Sequence, residues 1–155
     1  MAIVLRRAFV AASLAWALLL VAVPFLASRA HPSALATATI VAVYAIGSLV
    51  CHQLPERSYR LWTAQMPVCA RCAGIYAGAT IAAIAAIAAL GVGARPPIRR
   101  ARLILAVAVA PTLLTLVYEW TTGRMPANTI RFAAGLPIGV GVAWLLVAAS
   151  EDQVN

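Results

Sequence analysis

The chain has 155 residues, of which 64% are hydrophobic and 10% charged, with a formal net charge of +8. Soluble domains are typically ~45–50% apolar and ~25% charged, so the composition excludes an ordinary soluble globule and points to an integral membrane protein. All twelve basic residues are arginines lying in loops and at helix ends, which reads as topology and lipid-headgroup contact, with no nucleic-acid partner.

A membrane-spanning helix needs roughly 20 mostly apolar residues. Backbone groups in lipid must pair internally, and apolar runs that are continuous and do not alternate mean helices, not a barrel. Five candidate spans follow in chain order. The first covers about residues 8–27, after Arg6 and Arg7, and is longer than the ~7–15-residue apolar core of a signal peptide, so it is read as a retained anchor. The second, about 33–51, is interrupted by Thr37, Thr39 and Gly47. The third, about 68–90, ends in AAIAAIAAL; the fourth, about 103–120, contains Pro111; the fifth, about 130–149, contains Pro137. Membrane helices tolerate such prolines as kinks. GVGARPPIRRAR, residues 91–102, reads as an arginine-rich surface loop. With no repeat and no long linker, residues 1–155 are expected to form one all-α transmembrane bundle of about five spans, or four if the second segment does not fully cross.

Arginines favour the cytoplasmic side. Arg6/Arg7 and the 95–102 cluster are separated by three expected spans, so both lie inside only if the second segment fails to cross. Under either orientation, the 52–67 and 121–129 loops are two crossings apart and share a membrane face.

Helix three carries Ala70, Gly74, Gly78 and Ala82 at four-residue spacing, and helix five carries Gly135, Gly139 and Ala143. Small residues four apart let membrane helices approach closely, within a chain or in a homo-oligomer. Cys69, Cys72 and Tyr76 fall on one face of helix three, roughly opposite Arg71, Gly74 and Gly78.

The chemistry is concentrated in CHQLPERSYRLWTAQMPVCARC, residues 51–72, which holds all three cysteines. Cys69-Ala70-Arg71-Cys72 is a C-x2-C at an expected helix start, with Pro67 placed for the first turn. The helix N-terminus and nearby arginines favour thiolate. Cys51 and His52 add two candidate ligands, giving a Cys3His set of a kind zinc accepts. Adjacent residues diverge on a helix, so either the helix ends there and both join, or His52 alone joins the pair. A thiol–disulfide site at Cys69/Cys72 is the second reading, and structural cysteines the third. Zinc ranks first because the third cysteine has a histidine beside it and no cysteine partner.

Glu56, four residues from His52, is either a general base on metal-bound water or the salt-bridge partner of Arg71 or Arg131, with pairing preferred. Glu119 beside Trp120 is a boundary anchor or a site acid, and Asn128 is a natural N-cap for a helix that carries Arg131. The candidate polar cluster is thus Gln53, Arg57, Ser58, Arg71, Glu119, Asn128 and Arg131. Arg57, Arg71 and Arg131 together would suit the anion or lipid-headgroup pocket of a non-catalytic binding or transport module. His31 is a loop residue. The zinc-deaminase pattern of H-x-E with P-C-x-x-C fails on spacing.

C-H-Q-x-P-E-R-S at 51–58 and Q-x-P-V-C-A-R-C-x-G-I-Y at 65–76 resemble the small prokaryotic membrane proteins catalogued as domain-of-unknown-function family 2085. N-x2-R-x3-G-x3-G at 128–139 echoes the same family more weakly. The resemblance covers about residues 48–142 and implies a multi-pass protein of the prokaryotic cytoplasmic membrane, in contact with lipid, with a shared polar cluster and no particular mechanism. Ala73 stands where many relatives have a hydroxyl residue, and Glu119 where an acidic residue, often aspartate, is usual.

Overall fold

The computed structural model describes residues 2–88 and 98–151. Five α-helices occur among them: α1 (Ala2–Ala27), α2 (Ala34–Val50), α3 (Ala70–Ala88), α4 (Ile98–Thr122) and α5 (Asn128–Glu151). The expected all-α bundle is present, and the segment read as a plain loop before helix three has structure of its own. It contains a 3-10 turn at Pro55–Arg57 and a short antiparallel hairpin, β1 (Arg60–Leu61) with β2 (Ala64–Gln65). Trp62 and Thr63 form its two-residue turn, both with positive φ, as a primed hairpin turn requires. Trp62 packs edge-on against Phe25 at the end of α1, with ring centroids 5.4 Å apart. That contact offsets part of the strain of non-glycine residues in the left-handed region.

The 91–102 stretch is not a loop throughout. Ile98 begins α4, so Arg99, Arg100 and Arg102 lie in its first turns, while Arg95, Pro96 and Pro97 are outside the described residues. The end of AAIAAIAAL, Ala89 and Leu90, also lies outside them.

Helix directions follow from paired contacts. Ser13, Trp16 and Leu20 of α1 meet Thr80, Tyr76 and then the Cys72 level of α3, so these helices are antiparallel. On α5, Gly135 and Gly139 abut the carbonyls of Arg71 and Ile75, while Gly74 and Gly78 of α3 abut those of Phe132 and Leu136. These helices are therefore parallel and touch backbone to backbone. α4 runs antiparallel to α5: Thr112 Oγ1 donates to Ala134 O at 2.8 Å, and Ala108 faces Gly141. The two expected small-residue stripes thus face each other inside one chain, and an assembly of copies through them would have to open this contact.

The chain leaves α1 and enters α3 at the same end of the bundle, so α2 begins and ends on one side. Its C-terminal half is fastened there: Tyr44 donates its hydroxyl to Gln65 O, and Gly47 lies directly against Pro67 O. Four helices, α1, α3, α4 and α5, run along the bundle, with α2 beside them. By length and composition, Arg6–Ala27, Arg99–Thr122 and Asn128–Ala148 suffice to cross a membrane, and α2 and α3 are shorter apolar helices. At 19 residues, α3 is about 28 Å long, close to the ~30 Å hydrocarbon thickness. Leu18, Leu49, Leu103, Leu114 and Val117 are exposed, an apolar surface suited to lipid.

A Cβ on Gly139 would overlap Ile75 O and press on Ala79 N at 2.6 Å, whereas one on Gly141 would meet Ala108 Cβ at 3.3 Å. Gly139→Ala is therefore expected to lower stability in detergent–lipid micelles by about 1–3 kcal/mol, and Gly141→Ala by clearly less. Denaturant unfolding of the two variants compares them directly.

Candidate functional site

The thiols rest on an apolar floor. Leu20, Cys51, Met66, Val68 and Ala73 form a buried cluster, with Trp16, Tyr76 and Phe132 packed against it. Helix α2 stops at Val50, and Cys51 takes extended backbone angles, φ −146° and ψ 136°. Successive side chains of extended backbone point to opposite sides. Cys51 therefore turns inward and is buried, while His52 turns outward and is exposed.

Gln53 then reverses the chain with φ 49°. Its Nε2 donates to Tyr44 O at 2.9 Å and Pro67 O at 2.7 Å, and its own carbonyl accepts from Gln65 Nε2 at 2.5 Å. One side chain thereby ties the end of α2 to the approach to α3. Cys51 Sγ accepts a hydrogen bond from Cys69 N at 3.2 Å. Helix α3 begins at Ala70, so Cys69 sits at its cap and Pro67 lies before the helix instead of in its first turn.

The sulfurs of Cys51, Cys69 and Cys72 all lie within 4.8 Å of one another, and all three cysteines are free. The Cys69 thiol is lowered to about 5, first by the hydrogen bond from the Cys72 side chain, with burial opposing and Cys51 adding to the effect. Thiolate is the form that binds metal or attacks a disulfide.

Beside the sulfurs lies a buried charge cluster. Glu119 Oε1 receives Arg71 Nη2 at 3.0 Å and lies 2.9 Å from Arg131 Nη2, while Arg57 Nη2 stands 3.9 Å from Oε2. Arg71 also donates to Thr115 Oγ1 at 3.0 Å. The Arg131 side chain is 2% exposed, and its Nε and Nη2 have no hydrogen-bond acceptor, the Glu119 contact being ionic but poorly aligned. A cavity of about 170 Å³ joins the two groups, lined by Cys51, Cys69 and Cys72, by Arg57, Arg71 and Arg131, and by His52 and Gln53 at its edge.

Several sequence expectations change. His52 lines the cavity but stands outside the sulfur triangle, because the extended backbone sends it the other way from Cys51. Glu56 is exposed on the 3-10 turn and pairs with neither Arg71 nor Arg131; Glu119 takes that place from α4. Glu56 does not line the cavity. Asn128 is not the N-cap of α5. Ala127 O accepts the first helical bond, from Arg131 N at 3.1 Å, and Asn128 Nδ2 instead donates to Ser58 O at 3.3 Å. Ser58 is buried, with its hydroxyl on Leu54 O at 2.9 Å, so it fastens the turn to α5. Tyr44 and Gln65, which hold the turn, are not singled out by the sequence, and Gly47 stands there only as an interruption of the second span. Their signal is a close approach of distant backbone, which spacing does not carry.

These features define a helical membrane protein with a cysteine triad and an arginine–glutamate cluster at one end of its bundle. The sequence pattern of the family described as "Predicted membrane protein (DUF2085)" matches residues 51–145, and the chain belongs to that family. The match begins at Cys51 and includes every residue of the triad and charge cluster. An uncharacterised protein of Methanocaldococcus jannaschii is 48% identical over 44 residues, 28% of each chain. Another, from Methanothermobacter thermautotrophicus, is 34% identical over 99 residues, 62% of this chain and 83% of its own length. This chain thus aligns with little over a quarter of the first relative and most of the second. No solved structure matches.

Removing the Glu119 carboxylate leaves Arg71 and Arg131 buried without a counter-charge. Glu119→Gln is expected to destabilise the protein by about 3–5 kcal/mol, and Glu119→Asp, which keeps the charge, by substantially less. Unfolding midpoints in matched micelles test this; equal losses for the two would contradict the electrostatic account.

Proposed function

We propose that the protein binds a metal ion, zinc foremost, through Cys51, Cys69 and Cys72. The observation that carries this reading is the convergence of all three sulfurs from two separate segments to within 4.8 Å. Thiolates about 2.3 Å from one zinc lie roughly 3.8 Å apart, so small side-chain rotations bring these sulfurs to a common ion. Zinc usually takes four ligands, which leaves one position for water or a ligand from the cavity. A thiol–disulfide role remains the second reading, supported by the low Cys69 thiol, but it needs only Cys69 and Cys72 as reacting sulfurs and uses Cys51 as no more than a hydrogen-bond partner.

Purified protein is expected to carry metal stoichiometrically by elemental analysis. Cys51→Ser, Cys69→Ser and Cys72→Ser should each reduce the content severalfold, while His52→Ala should retain it. Metal-free protein with a reversible Cys69–Cys72 disulfide would favour the redox reading instead.

The same reading places the protein in a prokaryotic cytoplasmic membrane with the cysteine end outward. Its support is the course of the chain: with α2 on one side, Arg6, Arg7, Arg99, Arg100 and Arg102 share the opposite end, against Arg29, Arg60 and Arg124 exposed at the cysteine end outside the Glu119 cluster, and positive charge favours the cytoplasm. With Cys51, Cys69 and Cys72 replaced by serine, an impermeant maleimide on intact cells should label Thr121→Cys, and Ala101→Cys only after permeabilisation. The reverse pattern would invert the assignment.

A further inference from the structure

Arg57, Arg71 and Arg131 line one cavity and share a single carboxylate, Glu119. Two positive charges there have no compensating carboxylate among the described residues. Arg131 is the decisive residue. Its side chain is almost wholly buried, yet its Nε has no acceptor and its Nη2 meets only Glu119 Oε1 in an ionic contact, and Nε of Arg57 and of Arg71 are likewise buried and unpaired. A buried polar group without a partner is costly, and a guanidinium more so than a neutral donor. One ligand class supplies several strong acceptors and negative charge together: an oxyanion, which guanidinium forks recognise with matched geometry. The cavity holds about 170 Å³, several times the ≈30 Å³ a water occupies in the liquid, enough for a phosphate group.

We infer that this cavity binds an oxyanion of the phosphate class through Arg57, Arg71 and Arg131. The anion lies beside the cysteine triad, and one of its oxygens completes the coordination of the metal. The arginine half follows from the excess of guanidiniums over carboxylates and their buried Nε groups without acceptors; the coordination half rests on the metal reading above. Three thiolates on one divalent ion carry one net negative charge, less than the two positive charges opposite, so the combined site still attracts an anion. The phosphate is either free in solution or the headgroup of a lipid, because the cavity lies at one end of the bundle, where a membrane helix meets the headgroup layer.

The test uses the full chain, loaded with zinc, and phosphorus NMR. The probes are inorganic phosphate in detergent and, separately, phosphatidylcholine nanodiscs with and without phosphatidic acid. Phosphate should bind at one site per chain. Arg57→Gln, whose side chain is 40% exposed and 3.9 Å from Glu119, should fold normally and weaken binding about tenfold. Arg71→Gln should weaken it at least as much. Arg124→Gln, exposed and outside the cavity, should change nothing. A response confined to nanodiscs containing phosphatidic acid, and lost in Arg57→Gln, supports the site and identifies a lipid headgroup as its source. No response to either probe by zinc-loaded protein, or binding indifferent to both arginine substitutions, overturns the anion site while leaving the metal reading intact. Equal phosphate binding with and without zinc, unaffected by Cys69→Ser, supports the arginine site and overturns the coordination half.

Discussion

The backbone contact between α3 and α5 sets the rest of the site. Gly74 and Gly78 on one helix, and Gly135 and Gly139 on the other, remove the side chains that would keep two parallel helices apart. In lipid there is little hydrophobic gain in pairing helices, so dispersion contact at such close range carries the association. The closeness has an electrostatic consequence. Arg71 and Arg131 emerge from adjacent turns of the paired helices and are held beside each other out of water. Like charges so placed require a shared acid, and Glu119 of α4 supplies it at 3.0 and 2.9 Å. The third helix is thus tied in by charge as well as by packing.

The cysteine triad depends on a different device. Bringing Cys51 to Cys69 and Cys72 means joining the end of one helix to the start of another across an 18-residue separation. Gln53 does this by donating to backbone carbonyls from both sides, of Tyr44 and Pro67, with Gly47 allowing the second to come close. The hairpin between them is seated by Trp62 on Phe25 and by Tyr59 on Phe132. Its positive-φ turn is formed by residues with no intrinsic preference for it, so tertiary packing holds it there. The thiols consequently sit in a preformed arrangement on a largely apolar floor.

The course of α2 brings the N-terminal arginines and those opening α4 to one end of the bundle. Hydropathy alone treats Ala34–Val50 as a span, and its many exposed apolar residues suit lipid contact. Its C-terminal end is nevertheless bound to the entrance of α3, at the end where α1 finishes. A helix whose two ends return to one side does not reverse the chain, and the parity of every later helix changes with it.

The sequence by itself determined the solvent and the secondary structure: continuous apolar runs in a chain with 10% charged residues leave helices in a membrane. It also located the candidate cysteines, the packing glycines and the shared face of the two loops, since helical periodicity and the parity of crossings are local or countable properties. Tertiary structure decided the partners. Glu119, not Glu56, meets the arginines, because proximity along the chain says nothing about a carboxylate arriving from another helix. Cys51 and not His52 joins the thiols, because the choice turns on one residue leaving the helix for extended backbone. Asn128 reaches Ser58 instead of capping its own helix, because a distant carbonyl competes for its amide. Each outcome depends on where separate segments dock, and that is set by packing over the whole chain rather than by the spacing within any one stretch.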